Sequence, residues 1–193
     1  MHDIDTGMLP TERESNGLSI RKYEPGDVAG IVEAVQESVP TVGAWLDWCN
    51  KGYGTAEAEA WITHAHESWD KGDSFVFAVS DATSGDYLGG VGLSRIDHEK
   101  LSANLGYWIR QSYQGRGVGT QAARLAVGYA FEVLKLTQIE VVCGAANRPS
   151  RRVAEKTGAR FQGLASGRLT YHGKSIDAAV YTISAPAARR ATA

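Results

Sequence analysis

The sequence predicts an α+β fold, a mixed and mostly antiparallel central sheet of about seven strands flanked by four or five helices. Three observations carry that expectation. Apolar residues repeat at helical spacing from residue 28 to about 70, alternate as in strands from 74 to 110, and return to helical spacing after 118. Three strand-like runs follow one another with no helix between them, as in an antiparallel meander. A strand, a glycine-rich loop, a long helix and another strand come next, an order that brings a helix N-terminus up to an anionic group. With 193 residues, 43% hydrophobic and 22% charged, the chain can bury one sizeable core, and its composition excludes a disordered or fibrous class.

The opening MHDIDTGMLPTERES is acidic and polar and lacks the basic region and apolar core of a signal peptide. Residues 1–16 are therefore expected to form a flexible arm on a cytoplasmic protein. A single domain is expected over 17–184. It starts with a short strand at 17–23, after which Asp27 is a candidate N-cap for a helix to about Ser38, with Val28, Ile31, Val32 and Val35 on one face. Pro40 closes that helix. Residues 41–50 and 55–70 read as two more helices, separated by Gly52, Tyr53 and Gly54.

The meander occupies 74–80, 87–95 and 101–110. After the loop QSYQGRGVGTQ, Val118, Ala122, Leu125, Ala126, Tyr129 and Val133 mark a strong helix. A strand at 138–143, a short helix at 149–157 stopped at Gly158, and strands near 160–165 and 176–183 complete the domain. Residues 185–193, APAARRATA, read as a frayed tail.

Several functions are excluded early. No apolar run approaches the roughly 20 residues that span a bilayer, so no membrane partner is expected. Cys49 and Cys143 have no second Cys or His at metal-ligand spacing, and His64 and His66 point to different sides of a helix, so no metal is expected. Nucleic acid is not expected as a partner, because the basic residues are not interleaved with the aromatics or recognition helices of those folds. A homodimer is compatible with this reading.

The net charge of −2 conceals an asymmetry. The chain carries 18 acids and 6 bases through Glu99, then 4 acids and 14 bases. Two partners, or two faces of one site, would explain such a split.

The chemistry is expected at the glycine loop. Backbone N–H groups at a helix start are unpaired, and glycines let a pyrophosphate approach them. Gly115, Gly117 and Gly119 alternate there, but the Lys-Ser/Thr pair of a Walker loop is missing, and position 120, where a dinucleotide fingerprint needs glycine, is Thr. Gln114, Gly117 and Gly119 instead stand as Q-x-x-G-x-G. A helix-capping turn would use the same residues. The second block is Asn147, Ser150, Val153, Glu155, Lys156 and Gly158, spaced N-x-x-S-x-x-V-x-E-K-x-G. Asn147 and Ser150 beside Pro149 also suit a helix cap.

With these two blocks, the segment LGYWI (105–109) and the segment TVGAWLDWCN (41–50), most of residues 17–184 resemble the GNAT acetyltransferase superfamily, in its RimJ/RimL-like branch. The resemblance implies a GNAT-like sheet and acetyl-CoA as co-substrate. Its adenosine diphosphate part would lie on Gln114, Gly115, Arg116, Gly117, Val118, Gly119 and Thr120, and its pantetheine arm against the backbone of Trp108, Ile109 and Arg110. Arg110, Arg116, Arg148, Arg151, Arg152 and Lys156 would lie near its phosphates. Asn147 would bond the cofactor arm, and Ser150 would protonate the departing thiolate or steady it through a hydrogen bond, with water as the other candidate acid. Ala154 stands where many relatives carry a Tyr acid.

A base is harder to assign. Asn104 occupies the position where related sequences commonly carry Glu, and cannot accept the amine proton. His98, in the charged hairpin Asp97–Glu99, is a candidate; a solvated turn is the other reading, and a water chain is another route. Trp45 and Trp48, three residues apart, share a face over the acceptor side. Packing of a helical lid onto the sheet explains most of Trp45, Trp48, Trp61 and Trp69, which leaves one to wall the acceptor pocket. The acceptor would be a primary amine, a protein or peptide N-terminus as in that branch, with a polyamine or aminoglycoside as the alternative. A CoA-binding module without transfer activity is the reading from another class. In either case the acidic half would attract a cationic amine.

Overall fold

A computed structural model describes residues 6–186. The eight strands are β1 (Glu12–Ser15), β2 (Leu18–Arg21), β3 (Phe75–Asp81), β4 (Tyr87–Asp97), β5 (Ser102–Ile109), β6 (Gln138–Gly144), β7 (Arg160–Tyr171) and β8 (Lys174–Ser184). Four α-helices accompany them: α1 (Val28–Ser38), α2 (Thr55–Lys71), α3 (Val118–Glu132) and α4 (Arg148–Thr157). All strands lie in one sheet of order β1-β2-β3-β4-β5-β6-β8-β7. Every neighbouring pair is antiparallel except β5 with β6. The expected class is thus present with one strand more than anticipated.

That extra strand comes from the expected arm. Glu12–Ser15 pairs antiparallel with Leu18–Arg21, because Asn16 and Gly17, both at positive φ, make a two-residue hairpin. Residues 1–5 and 187–193, parts of the expected arm and tail, lie outside the described residues.

The expected helix at 41–50 is a succession of turns instead. Gly43 lies where the chain folds back on itself, so close that a Cβ there would stand 2.4 Å from the Cys49 carbonyl oxygen and 2.5 Å from that of Val39. Asn50 donates to the Asp47 carbonyl and accepts from the Gly52 N–H, local bonds that compete with a helical ladder.

β3 and most of β4 are buried on both faces, whereas β5 alternates, with Ala103, Leu105 and Ile109 buried and Gly106 exposed. Along β3, Phe75, Phe77 and Val79 enter the main core, while Ala78 faces a second core. The main core lies under α3, where Ala122, Ala126, Tyr129 and Ala130 meet Leu105, Ile139 and Tyr181. The second lies where α1 and α2 cover β3 and β4, with Ile31, Val35 and Ile62 against Tyr23 and Tyr87.

Candidate active site

The feature that positions the site is a short parallel pairing. β5 and β6 share only the register Ser102–Gln138 to Asn104–Glu140 and then splay, although β5 runs on to Ile109 and β6 to Gly144. Arg110 donates its N–H to the Leu88 carbonyl across β4 at 2.8 Å. Backbone groups alternate along a strand, so the N–H groups of Ile109 and Tyr107 face the opposite way, into the wedge. Two unpaired strand edges there offer an extended chain the hydrogen bonds of a further strand.

The glycine loop closes one end of the wedge. Gly117, at φ +88°, is the N-cap of α3, and no side chain caps that helix. The N–H groups of Val118, Gly119 and Thr120 therefore have no partner within the helix. A Cβ on Gly117 would meet nothing within 4 Å, so the open space lies directly against the backbone. Gln114 braces the loop by donating from Nε2 to the Ile109 carbonyl at 2.8 Å. On α4, Arg148, Arg152 and Lys156 are spaced by four and line the same opening, with no ion-pair partner among the described residues. Unpaired helix-start donors, an extended unpaired edge and a row of cations together fit a long anionic ligand with a peptide-like arm, which is the chemistry of acetyl-CoA.

Ser150 sits where loop, wedge and α4 meet. Its N–H donates to Asn147 Oδ1 at 3.1 Å, so the capping role of Asn147 is realised. Tyr107 donates its phenol to the Ser150 carbonyl at 2.8 Å, and the two side-chain oxygens lie 3.4 Å apart. Burial pushes the Tyr107 phenol up, so it remains protonated at neutral pH. Burial likewise pushes up the thiol of Cys143, which lines the same cleft and stays neutral.

The whole cleft encloses about 1900 Å³, well above the size of a typical small-ligand pocket. It is large enough for two reactants. Its far side is aromatic. Trp48 contacts Trp108 at 5.3 Å between ring centroids and Tyr53 at 6.0 Å; Trp108 contacts Tyr87, which leads through Tyr23 to Trp61.

Eleven expected site residues line this cleft: Trp45, Trp48, Trp108, Ile109, Gln114, Gly115, Gly117, Gly119, Thr120, Asn147 and Ser150. Others do not. His98 is exposed on the turn between β4 and β5, and Asn104, paired with Ser94 and Glu140 in the sheet, is likewise outside the lining. The Arg110 guanidinium turns to α1, bonding Glu33 at 2.6 Å and Glu37 at 2.5 Å, so it is committed to holding the loop rather than free for phosphates. Arg116 rests over the Tyr113 ring, and Val118 packs against the main core. Arg151 is drawn away by the Tyr181 hydroxyl and the Ala145 carbonyl.

The acidic lid also differs from expectation: among the described carboxylates only Glu57 lines the cleft, and it accepts from the Gly54 N–H. Sequence reasoning did not single out Tyr23, Tyr53, Tyr87 or Tyr107. The one available signal was Tyr107, next to Trp108 in the segment LGYWI. No group of three metal-ligating side chains occurs among the described residues, and none of their helices is long and apolar enough to cross a membrane.

Comparison with known proteins agrees with this geometry. Residues 18–160 match the family model described as an acetyltransferase (GNAT) domain. The Bacillus subtilis "Putative ribosomal N-acetyltransferase YdaF" is 26% identical over 168 residues, 86% of this chain and 90% of that one. The structure of a "putative ribosomal-protein-serine acetyltransferase from Vibrio cholerae" superposes with a TM-score of 0.80 at 29% identity, covering 90% of this chain and 97% of that one. The microcin C7 self-immunity acetyltransferase, solved with acetyl-CoA and AMP, shares the fold with a TM-score of 0.84 at 16% identity, over 94% of this chain and all of that one.

Proposed function

The chain belongs to the acetyltransferase (GNAT) domain family and is an acetyl-CoA-dependent N-acetyltransferase; from that premise we propose that its acceptor is the N-terminal amine of a protein or peptide. The ribosomal-protein acetyltransferases among its relatives support this reading. The single observation that carries the chemistry is Ser150 at the junction of the splayed edges, the uncapped α3 start and the aromatic chamber, with Tyr107 bonded to it.

Acetyl-CoA supplies an activated thioester carbon. The N–H groups of Val118 to Thr120 hold its pyrophosphate, and Arg148, Arg152 and Lys156 offset the remaining phosphate charge. The edges of β5 and β6 align the arm, which leaves the Ile109 N–H to meet the negative charge that develops on the carbonyl oxygen. A neutral amine forms the new C–N bond while the C–S bond breaks. The Ser150 hydroxyl gives its proton to the departing sulfur and regains one from water, while the Tyr107 phenol, its own proton on the Ser150 carbonyl, holds Ser150 in place. The proton released by the amine passes to water toward the cleft mouth, where His64 and Glu57 stand on the wall.

Release of CoA thiol, followed with N-terminal peptides, polyamines and aminoglycosides, tests this assignment. Turnover is expected with peptides bearing a free N-terminus. Turnover confined to polyamines or aminoglycosides would move the acceptor to a small molecule, and CoA binding with silence across the whole panel would leave a binding module.

A further inference from the structure

The tryptophans of the acceptor side divide into two kinds. Trp69 is 2% exposed and sits among Phe75, Phe77 and Tyr129, with its indole N–H donated to the Val76 carbonyl. Packing accounts for it fully. Trp48 and Trp61 are 40% and 37% exposed, yet both line the cleft. Large aromatic surface left in contact with water inside a concavity costs free energy that a ligand can recover.

Three glycines of the sheet line the same cleft. Gly90, Gly92 and Gly106 line the cleft, and the sheet register places Gly92 opposite Gly106 and Gly90 opposite Trp108. A Cβ on Gly106 would meet nothing within 4 Å, whereas one on Gly90 would stand 2.7 Å from the Tyr23 hydroxyl oxygen and 2.9 Å from Trp108 Nε1. One glycine thus leaves free volume, and another lets Tyr23 and Trp108 settle against the strand.

Charge decides which ligand fits. A polycationic acceptor needs several carboxylates, and Glu57 is the one described carboxylate in the lining, already engaged by the Gly54 N–H. The nearby acids are spent elsewhere: Glu33 and Glu37 on Arg110, Asp27 on Arg21, Asp47 on His172. The cations of the cleft all lie on α4, on the side of the glycine loop. An aromatic hollow of low charge suits a flat apolar group.

The geometry points to a first residue with an aromatic side chain, Trp, Tyr or Phe, as the acceptor whose amine is acetylated, its ring stacking in the chamber of Trp48, Trp61 and Trp108. This rests on the reading of the cleft as an N-terminal acetylation site. The test compares kcat/KM for peptides that differ only in the first residue, Trp, Phe, Ser or Ala, with spermidine alongside. Trp- and Phe-first peptides are expected to exceed Ser-first ones by at least about tenfold, which is about 1.4 kcal/mol. Trp48→Ala, or Trp61→Ala should the first fail to fold, is expected to bring that ratio close to one.

Equal or better use of Ser- or Ala-first peptides, a preference for spermidine, or a ratio unmoved in the variant would overturn the proposal. Should no peptide be acetylated, the N-terminal reading itself fails. The chamber is then tested alone by calorimetry on the CoA-saturated protein: tighter binding of N-acetyltryptophanamide than of N-acetylserinamide supports it, and equal or absent binding overturns it.

Discussion

The phenol of Tyr107 donates to the Ser150 carbonyl at 2.8 Å while its oxygen lies 3.4 Å from the Ser150 hydroxyl oxygen, tying the middle of β5 to the first turn of α4. Both residues therefore border the point where β5 and β6 part. In the proposed reaction Ser150 gives a proton and Tyr107 positions it. Ser150→Ala is expected to lower kcat by about 10²-fold, the usual worth of a positioned acid, with CoA affinity little changed. Tyr107→Phe is expected to lower kcat by a smaller factor, about tenfold. Steady-state kinetics beside calorimetric CoA titration separates the two effects; an unchanged kcat in Ser150→Ala would remove it from the proton path.

The α3 start gives a sharper prediction. Gly117 has φ +88° and faces open space, so a side chain there meets both an unfavourable backbone and the volume proposed for the pyrophosphate. Gly117→Asp adds a negative charge at the uncapped helix start and is expected to weaken CoA binding by at least about 100-fold. Gly117→Ala carries mainly the left-handed backbone cost of about 1–2 kcal/mol. Calorimetry for binding and urea unfolding for stability check the pair.

The clamp between α1 and the loop sets a pH dependence. Burial works against ionisation of Glu37, but bonds from Ser112 and Arg110 outweigh it and hold its carboxyl below the usual range. A lowered folded-state value means that the stabilisation is complete above the ordinary carboxylate range and is lost as pH falls through the folded value. Glu37→Gln is expected to cost about 1–2 kcal/mol at neutral pH, a fall in Tm of roughly 2–8 °C. The gap from the parent protein should narrow on acidification, as thermal melts at about pH 7 and about pH 4 will show; a gap that widens instead would contradict the clamp.

The core offers a control. Trp69 is the largest fully buried side chain and holds three aromatic neighbours. Trp69→Ala is expected to cost about 3–5 kcal/mol in urea unfolding. A loss under about 1 kcal/mol would mean that the α2 end is not packed as described.

The meander, the loop and the long helix were legible in the sequence because each follows from local periodicity or glycine placement. One wall of the cleft was legible for the same reason: Gly117, Asn147 and Ser150, which line it, lie on two short contiguous blocks. The segment at 41–50 was misread as a helix because Val42, Trp45, Leu46 and Cys49 have helical spacing, while the close approach at Gly43 is a tertiary fact. The aromatic side of the cleft was hidden because Tyr23, Tyr53, Tyr87 and Trp108 come from four separate segments. Arg110 looked available for phosphate because its partners, Glu33 and Glu37, lie more than seventy residues earlier. The split of charge between the halves of the chain thus finds part of its use in holding the two halves together.

The most direct test of the account is where the acetyl group goes. A peptide with a free N-terminus and an internal lysine, and the same peptide with its N-terminus blocked, are incubated with the protein and acetyl-CoA and fragmented in a mass spectrometer. One acetyl group is expected on the terminal amine of the free peptide and none on the blocked one. Acetyl on the lysine of both peptides, or on neither peptide while spermidine is consumed, would contradict it.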